Sequence, residues 1–201
     1  MLNVRYRMDM ARTTRLGRED WVRGGLIALS RGGPDAVAIE PLATALGATK
    51  GSGYWHWTSR AALLDAVLSR WLEVATTDVV AAVEAAGGSA RERLERLLGM
   101  VTTAAEKHPG EMLVLVHPDP AVRAVVTIAT RDRVDYVSCL LHETGLPKAQ
   151  AAQRALLAYA AYIGHAQLAA TVPAVLPKRK ADRQGLQQAL VEAITAGSTA
   201  G

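Results

Sequence analysis

The sequence is poor in cysteine, in aromatic residues and in long apolar runs, and each shortage excludes something. Cys139 is the only cysteine. No internal disulfide framework is possible, and a reducing compartment is expected. No apolar stretch approaches the ~18 residues a membrane-spanning helix needs. The opening "MLNVRYRMDMARTTR" has no apolar core of a secretion signal. A soluble, cytoplasmic product without membrane contact is the expectation. Alternating β-branched runs are scarce, which argues against sheets. Catalytic signatures are missing too. No G-x-S-x-G, Walker A or Rossmann glycine pattern occurs, and His56, His108, His117, His142 and His165 form no metal-ligand spacing. Cys139 and His142 could share a helix face, but two ligands fall short of a zinc site. No enzyme, cofactor or metal is expected.

What remains is half hydrophobic, with Ala, Leu and Arg abundant, the composition of helices around a core. The formal charge of +4 is unevenly spread. Residues 1–60 hold nine Lys or Arg (5, 7, 12, 15, 18, 23, 31, 50, 60) against five acids (9, 19, 20, 35, 40). The other 141 residues hold fourteen of each. The excess belongs to the N-terminal part, which suits either polyanion binding or a solvated basic end.

Helix signals follow in order. Residues 1–17 read as a flexible basic arm. A first helix runs from about Arg18 to Ser30, with Val22, Leu26 and Leu29 on its buried stripe, Gly25 beside them and Trp21 flanking. Glycines 32 and 33 and Pro34 end it. Pro41 is admitted only in a first turn, so a short second helix starts near Ile39 or Glu40. Gly47 closes it. Thr49 can cap a third, short helix carrying Lys50, Ser52, Gly53 and Tyr54. One long helix runs from Ser59 to about Ala86, with Leu64, Val67, Leu68, Trp71, Leu72 and Ala75 on one stripe. "SARE" at 89–92 is a capping box. "GEMLVLVHP" reads as a short buried helix or connector, and Asp119-Pro120 opens the next long helix. Two more helices span about Lys148–Ala170 and Asp182–Ile194.

The third helix is polar and contains glycines, as insertion into a DNA major groove requires. Gly51 and Gly53 each cost about 1 kcal/mol of helix propensity against Ala, so packing must hold it, with Trp57 as a wedge against the long helix. Thr49, Lys50, Gly51 and Ser52 are candidates for base edges. Tyr54, His56, Lys50 and Arg60 suit phosphates. Two readings stand for His56, a phosphate contact or a hydrogen bond stitching the loop, and for Tyr54, a phosphate contact or a core edge. Trp55 fills a crevice or touches DNA. Arg12 and Arg15 enter a minor groove or belong to a solvated tail.

The segment "DAVAIEPLATALGATKGSGYWHWTSRAALLDAVL" resembles the signature of the TetR family of bacterial one-component regulators. Gly47 matches the turn glycine, Tyr54, His56 and Trp57 the Tyr-x-His-Phe block, Arg60 a usual lysine and Leu64 the following leucine. Ala48, Trp57 and Ala38 depart from the usual valine, phenylalanine and capping hydroxyl. The resemblance covers about Arg18 to Trp71. It implies an all-α fold: an N-terminal tri-helical helix-turn-helix domain (18–60), then a helical-bundle ligand-binding and dimerisation domain (61–196), with a disordered tail (197–201). It implies a ligand-responsive regulator, a repressor of a palindromic double-stranded DNA operator released by a small molecule. The few charges on the bundle's apolar faces favour a lipophilic or aromatic effector. Trp71, Met100, Met112, Leu115, Val126, Tyr136 and Tyr159 are candidate pocket walls, since Met and aromatics adapt to ligands; each also fits ordinary core. One reading module contacts too little DNA for selectivity, so a homodimer on two half-sites is expected. Small and apolar residues on the last two helices suit its interface: Ala152, Ala155, Leu157, Ala160, Gly164, Leu186, Leu190 and Ile194. The competing readings are a DNA-architectural protein or a helical adaptor, neither with an effector.

Overall fold

The computed structural model describes residues 16–197. The basic arm of residues 1–15, with Arg12 and Arg15, and the tail beyond Gly197 lie outside the described residues. Every described element is helical: α1 (Arg18–Gly32), α2 (Ile39–Ala45), α3 (Lys50–His56), α4 (Arg60–Leu72), α5 (Asp78–Ala85), α6 (Ala90–Lys107), α7 (Gly110–Leu115), α8 (Pro120–Glu143), α9 (Lys148–Thr171) and α10 (Lys180–Thr195). Short 3₁₀ turns at Pro34–Ala36 and Pro173–Val175 link α1 to α2 and α9 to α10.

Local chemistry sets the boundaries. Gly33 ends α1 with φ +69°, a conformation that favours glycine. Gly47, at φ +65°, makes the turn between α2 and α3. Ala38 precedes α2 without a side-chain cap, whereas Thr49 caps α3 by accepting from the Ser52 N–H at 3.1 Å. Ser89 and Glu92 form the capping box of α6, and Asp119 caps α8 ahead of Pro120. Met112–Leu115 lies in a helix, α7, not a strand.

Two buried clusters hold these helices. The first joins Trp21, Leu29, Ile39, Leu42, Trp57, Leu63, Val67 and Trp71 to Val114, Val122 and Ala129. The core therefore crosses residue 60 without a break, tying the three N-terminal helices to α4, α7 and α8. The second gathers Leu94, Leu140, Leu141, Leu146, Ala151, Ala155 and Ile194 from α6, α8, α9 and α10. The buried face of α1 is Trp21, Gly25 and Leu29, with Val22 and Leu26 only half-buried. At Gly25 a Cβ would stand 2.3 Å from Val67, so α1 and α4 approach closely there.

The long helix from residue 60 to 85 is continuous but not uniform. Glu73–Thr77 forms a π-helical turn between α4 and α5. Such a turn holds one residue more than an α-turn. The buried position after Trp71 is consequently Thr76, 3% exposed, and not Ala75 as a regular 3.6 period predicts.

Candidate nucleic-acid interface and bundle cavity

The N-terminal helices present α3 outward on a fixed seat. Gly53 is its inward residue: a Cβ there would meet Ile39 Cγ2 at 2.5 Å and the Trp21 ring at 2.8 Å. Trp57, 2% exposed, closes the helix from below. Thr49, Lys50, Gly51, Tyr54 and Trp55 are exposed and Ser52 half-buried. Trp55 is 70% exposed; it fills no crevice in the subunit. Gly51 has open space around it, and a methyl added there would find its nearest neighbour in Thr49 Oγ1 at 3.9 Å. Packing thus explains Gly53 and does not explain Gly51.

The basic groups differ in how free they are. Lys50 pairs with Glu40 of α2 and lies 6.0 Å from the Tyr54 ring. The hydrogen bond to the Glu40 carboxylate, with its charge, raises the Lys50 pKa. Arg60 turns inward: Nε donates to Val37 O at 2.9 Å and Nη2 to Pro34 O at 2.8 Å. It clamps the α1–α2 connection to the start of α4. His56 Nε2 donates to Leu16 O at 2.9 Å, while Arg18 Nη1 donates to His56 O at 2.8 Å. The Arg18 guanidinium also stacks 3.9 Å above the Trp57 ring. The bond from His56 to Leu16 is the loop-stitching contact that one reading of His56 expects. A sequence reading missed Arg18 because its partner His56 lies far along the chain, and Glu40 because only the turn between α2 and α3 brings it to Lys50.

Two neighbouring cavities lie in the bundle among the described residues. The larger, about 60 Å³, lies among α5, α6, α8 and α9 and is walled by Val79, Leu97, Val101, Tyr136 and Tyr159, with Thr76 and Arg133 among its polar groups. The smaller, about 10 Å³, is bounded by Trp71, Met112, Leu115, Glu111 and Arg133, room for about one water. Of the residues expected in a pocket, Tyr136 and Tyr159 line the first, and Trp71, Met112 and Leu115 the second. Met100 lines neither, and Val126 packs against the first core cluster, because α8 turns that face toward α4. Tyr162 and Arg133 line both cavities and were not anticipated. Arg133 was signalled: it interrupts the apolar stripe of Val122, Val126, Ala129, Val137 and Leu140 on α8.

Burial pushes the Tyr162 phenol and the Glu111 carboxyl up. Burial and the bond to Glu84 likewise push the Tyr136 phenol up.

The residues expected at a subunit interface divide. Ala152, Leu157, Ala160 and Leu186 are exposed, and Gly164 is half-buried. Ala155 and Ile194 are instead buried in the second core cluster, with Leu190 packed against it. The correction follows from helix phase: Ala155 lies on the α9 face shared with Ala151 and Ala158. Leu156, 59% exposed, joins Leu157, 65% exposed, on the outer face.

No described helix is long and apolar enough to cross a membrane. Among the described residues, no group of three or more His, Cys, Asp or Glu could hold a metal ion.

Residues 23–67 match the family model described as bacterial regulatory proteins, tetR family. No curated protein matches the sequence. Solved structures share the fold. A TetR-family transcriptional regulator from Streptomyces coelicolor superposes with a TM-score of 0.68 at 20% identity, over 92% of this chain and 80% of that one. A transcriptional regulator from Rhodococcus sp. Rha1 gives 0.75 at 17% identity, over 92% of this chain and 100% of the other. A TetR transcriptional regulator from Legionella pneumophila gives 0.70 at 14% identity, over 92% and 99%. The N-terminal segment thus carries the match to the tetR-family model, and the described helices as a whole share the fold of these solved regulators.

Proposed function

We propose that the chain is a ligand-responsive repressor that reads a palindromic operator with α3 and releases it when a small apolar molecule enters the bundle. One observation carries the reading. A helix with exposed Lys50, Gly51, Tyr54 and Trp55 is anchored by the buried Gly53 and Trp57. Anchored below and polar above, it can enter a major groove without rearranging. Thr49, Lys50, Gly51 and Ser52 approach base edges, and Tyr54 and Trp55 the flanking backbone. His56 and Arg60 act by holding α3 and α4 in place, Arg60 leaving part of its guanidinium for a phosphate. The arm with Arg15 adds charge beside them. Residues 18–60 form the reading unit and 61–196 the unit that binds effector and dimerises.

The larger cavity, apolar apart from Thr76, Arg133 and its tyrosine hydroxyls, is the effector site. The homodimer forms through the outer faces of α9 and α10, where Ala152, Leu156, Leu157, Ala160, Gly164 and Leu186 supply apolar and small contacts. Selection from a randomised duplex library tests the proposal. A twofold-symmetric site should emerge, and Lys50→Ala and Tyr54→Ala should weaken its binding, measured by fluorescence anisotropy. Absence of any enriched sequence overturns the reading.

A further inference from the structure

Among the described residues, Arg133 is the one charged side chain lining the larger cavity. Its Nε donates to Thr76 Oγ1 at 3.0 Å and its Nη2 to Ala75 O at 3.1 Å. Both acceptors belong to the π-turn Glu73–Thr77. The guanidinium carbon lies 5.2 Å from the Trp71 ring centroid. Among the described residues Arg133 makes no ion pair. A guanidinium carries five N–H donors, and these two bonds use two of them. Arg133 is half-buried, and an apolar chamber with one incompletely matched cation favours an anion, because a charge drawn partly out of water gains from being paired. The neighbouring carboxyl is a poor candidate for that role. Glu111 lines only the smaller cavity; burial pushes its carboxyl up, against the opposing pull of the His108 and Arg133 charges, and it makes no ion pair with Arg133 among the described residues. The Tyr162 hydroxyl, beside Arg133 in both cavities, can donate a further hydrogen bond.

We propose that the larger cavity takes an apolar ligand ending in one carboxylate, which pairs with Arg133 and through it acts on the π-turn at Ala75–Thr76. The inference rests on the bundle being the effector site and adds the chemistry of the effector and the point where it acts. A carboxylate accepts two parallel bonds from a guanidinium and outcompetes a neutral carbonyl and hydroxyl for it. Drawing the guanidinium toward the ligand strips the π-turn of two hydrogen bonds. That turn interrupts the helix whose other end carries the start of α4 beneath α3, so a change in the turn reaches the DNA-facing surface.

The test uses the full chain and defined probes: hexanoate, octanoate, decanoate, benzoate and phenylacetate, each beside its uncharged primary amide. Binding is read by calorimetry and by the shift in melting temperature. At least one carboxylate should bind, with its amide about ten- to a hundredfold weaker, the range for losing a charge-assisted hydrogen-bonded contact. Arg133→Gln should abolish the difference, and Arg133→Lys should retain part of it. Circular dichroism checks that the variants fold, and the wild-type comparison decides the matter if Arg133→Gln does not. Amides binding as tightly as acids, or no probe binding at all, overturns the inference. Operator affinity in the same samples separates the readings. Amides that bind and release operator leave the effector site standing and remove only the acid preference.

Discussion

The Lys50 ammonium pairs with the Glu40 carboxylate across the turn that joins α2 to α3. Both side chains are more than half exposed, so the pair adds little to stability. It places a negative charge beside the helix proposed to meet a polyanion. Glu40→Gln is expected to tighten operator binding about two- to fivefold, and the gain should shrink as salt rises. Melting temperature should hardly move. Anisotropy at two salt concentrations checks both points, and weaker binding in the variant would show that Glu40 serves to position Lys50.

Two glycines in α3 are expected to respond in opposite ways. Gly53→Ala forces a methyl against Ile39 and Trp21, and should cost about 1–3 kcal/mol of stability. Gly51→Ala meets open space and should gain up to about 1 kcal/mol through helix propensity. If Gly51 lies against bases, the more stable variant still loses operator affinity. Chemical denaturation paired with anisotropy tests both substitutions.

Much of the interface could be read from the sequence because its signals are local. Pro41 fixed the start of α2, Thr49 the cap of α3, and the glycine–aromatic run 51–57 the seat of the helix. Contacts between distant segments could not be read. Arg60 looks like a free cation until its carbonyl partners at 34 and 37 are in place. The π-turn was hidden for another reason: a 3.6-residue period carried through Trp71 selects Ala75, and only the extra residue shifts burial to Thr76. The same phase sensitivity sent Ala155 and Ile194 inward.

Leu157 offers a clean test of assembly. At 65% exposed it can become arginine without disturbing its own subunit. Leu157→Arg should shift the light-scattering mass from twice the chain mass to the chain mass and sharply reduce operator binding. Leu190→Arg is a poorer test, because Leu190 packs against the subunit's own core and the charge would destabilise the fold as well. A dimer persisting in Leu157→Arg would place the interface elsewhere.

Glu111 predicts a pH dependence with a definite sign. Burial raises its folded-state pKa above the ordinary carboxylate value. Between the unfolded and the folded pKa the native state holds more protons, so this group lowers stability as pH rises through that window. Glu111→Gln should remove that part of the slope. Urea unfolding of both proteins across mildly acidic to neutral pH measures it, and identical slopes would contradict the assignment.

The π-turn also gives the long helix a spare residue. Deleting one residue within Glu73–Thr77 can restore an unbroken α-helix while Trp71 and Val83 keep facing their cores. Deletion a turn earlier, at Leu68, has no such reserve: every side chain upstream would swing by about 100° and shift by about 1.5 Å. Within this helix, length can change at one place without changing which way either end points.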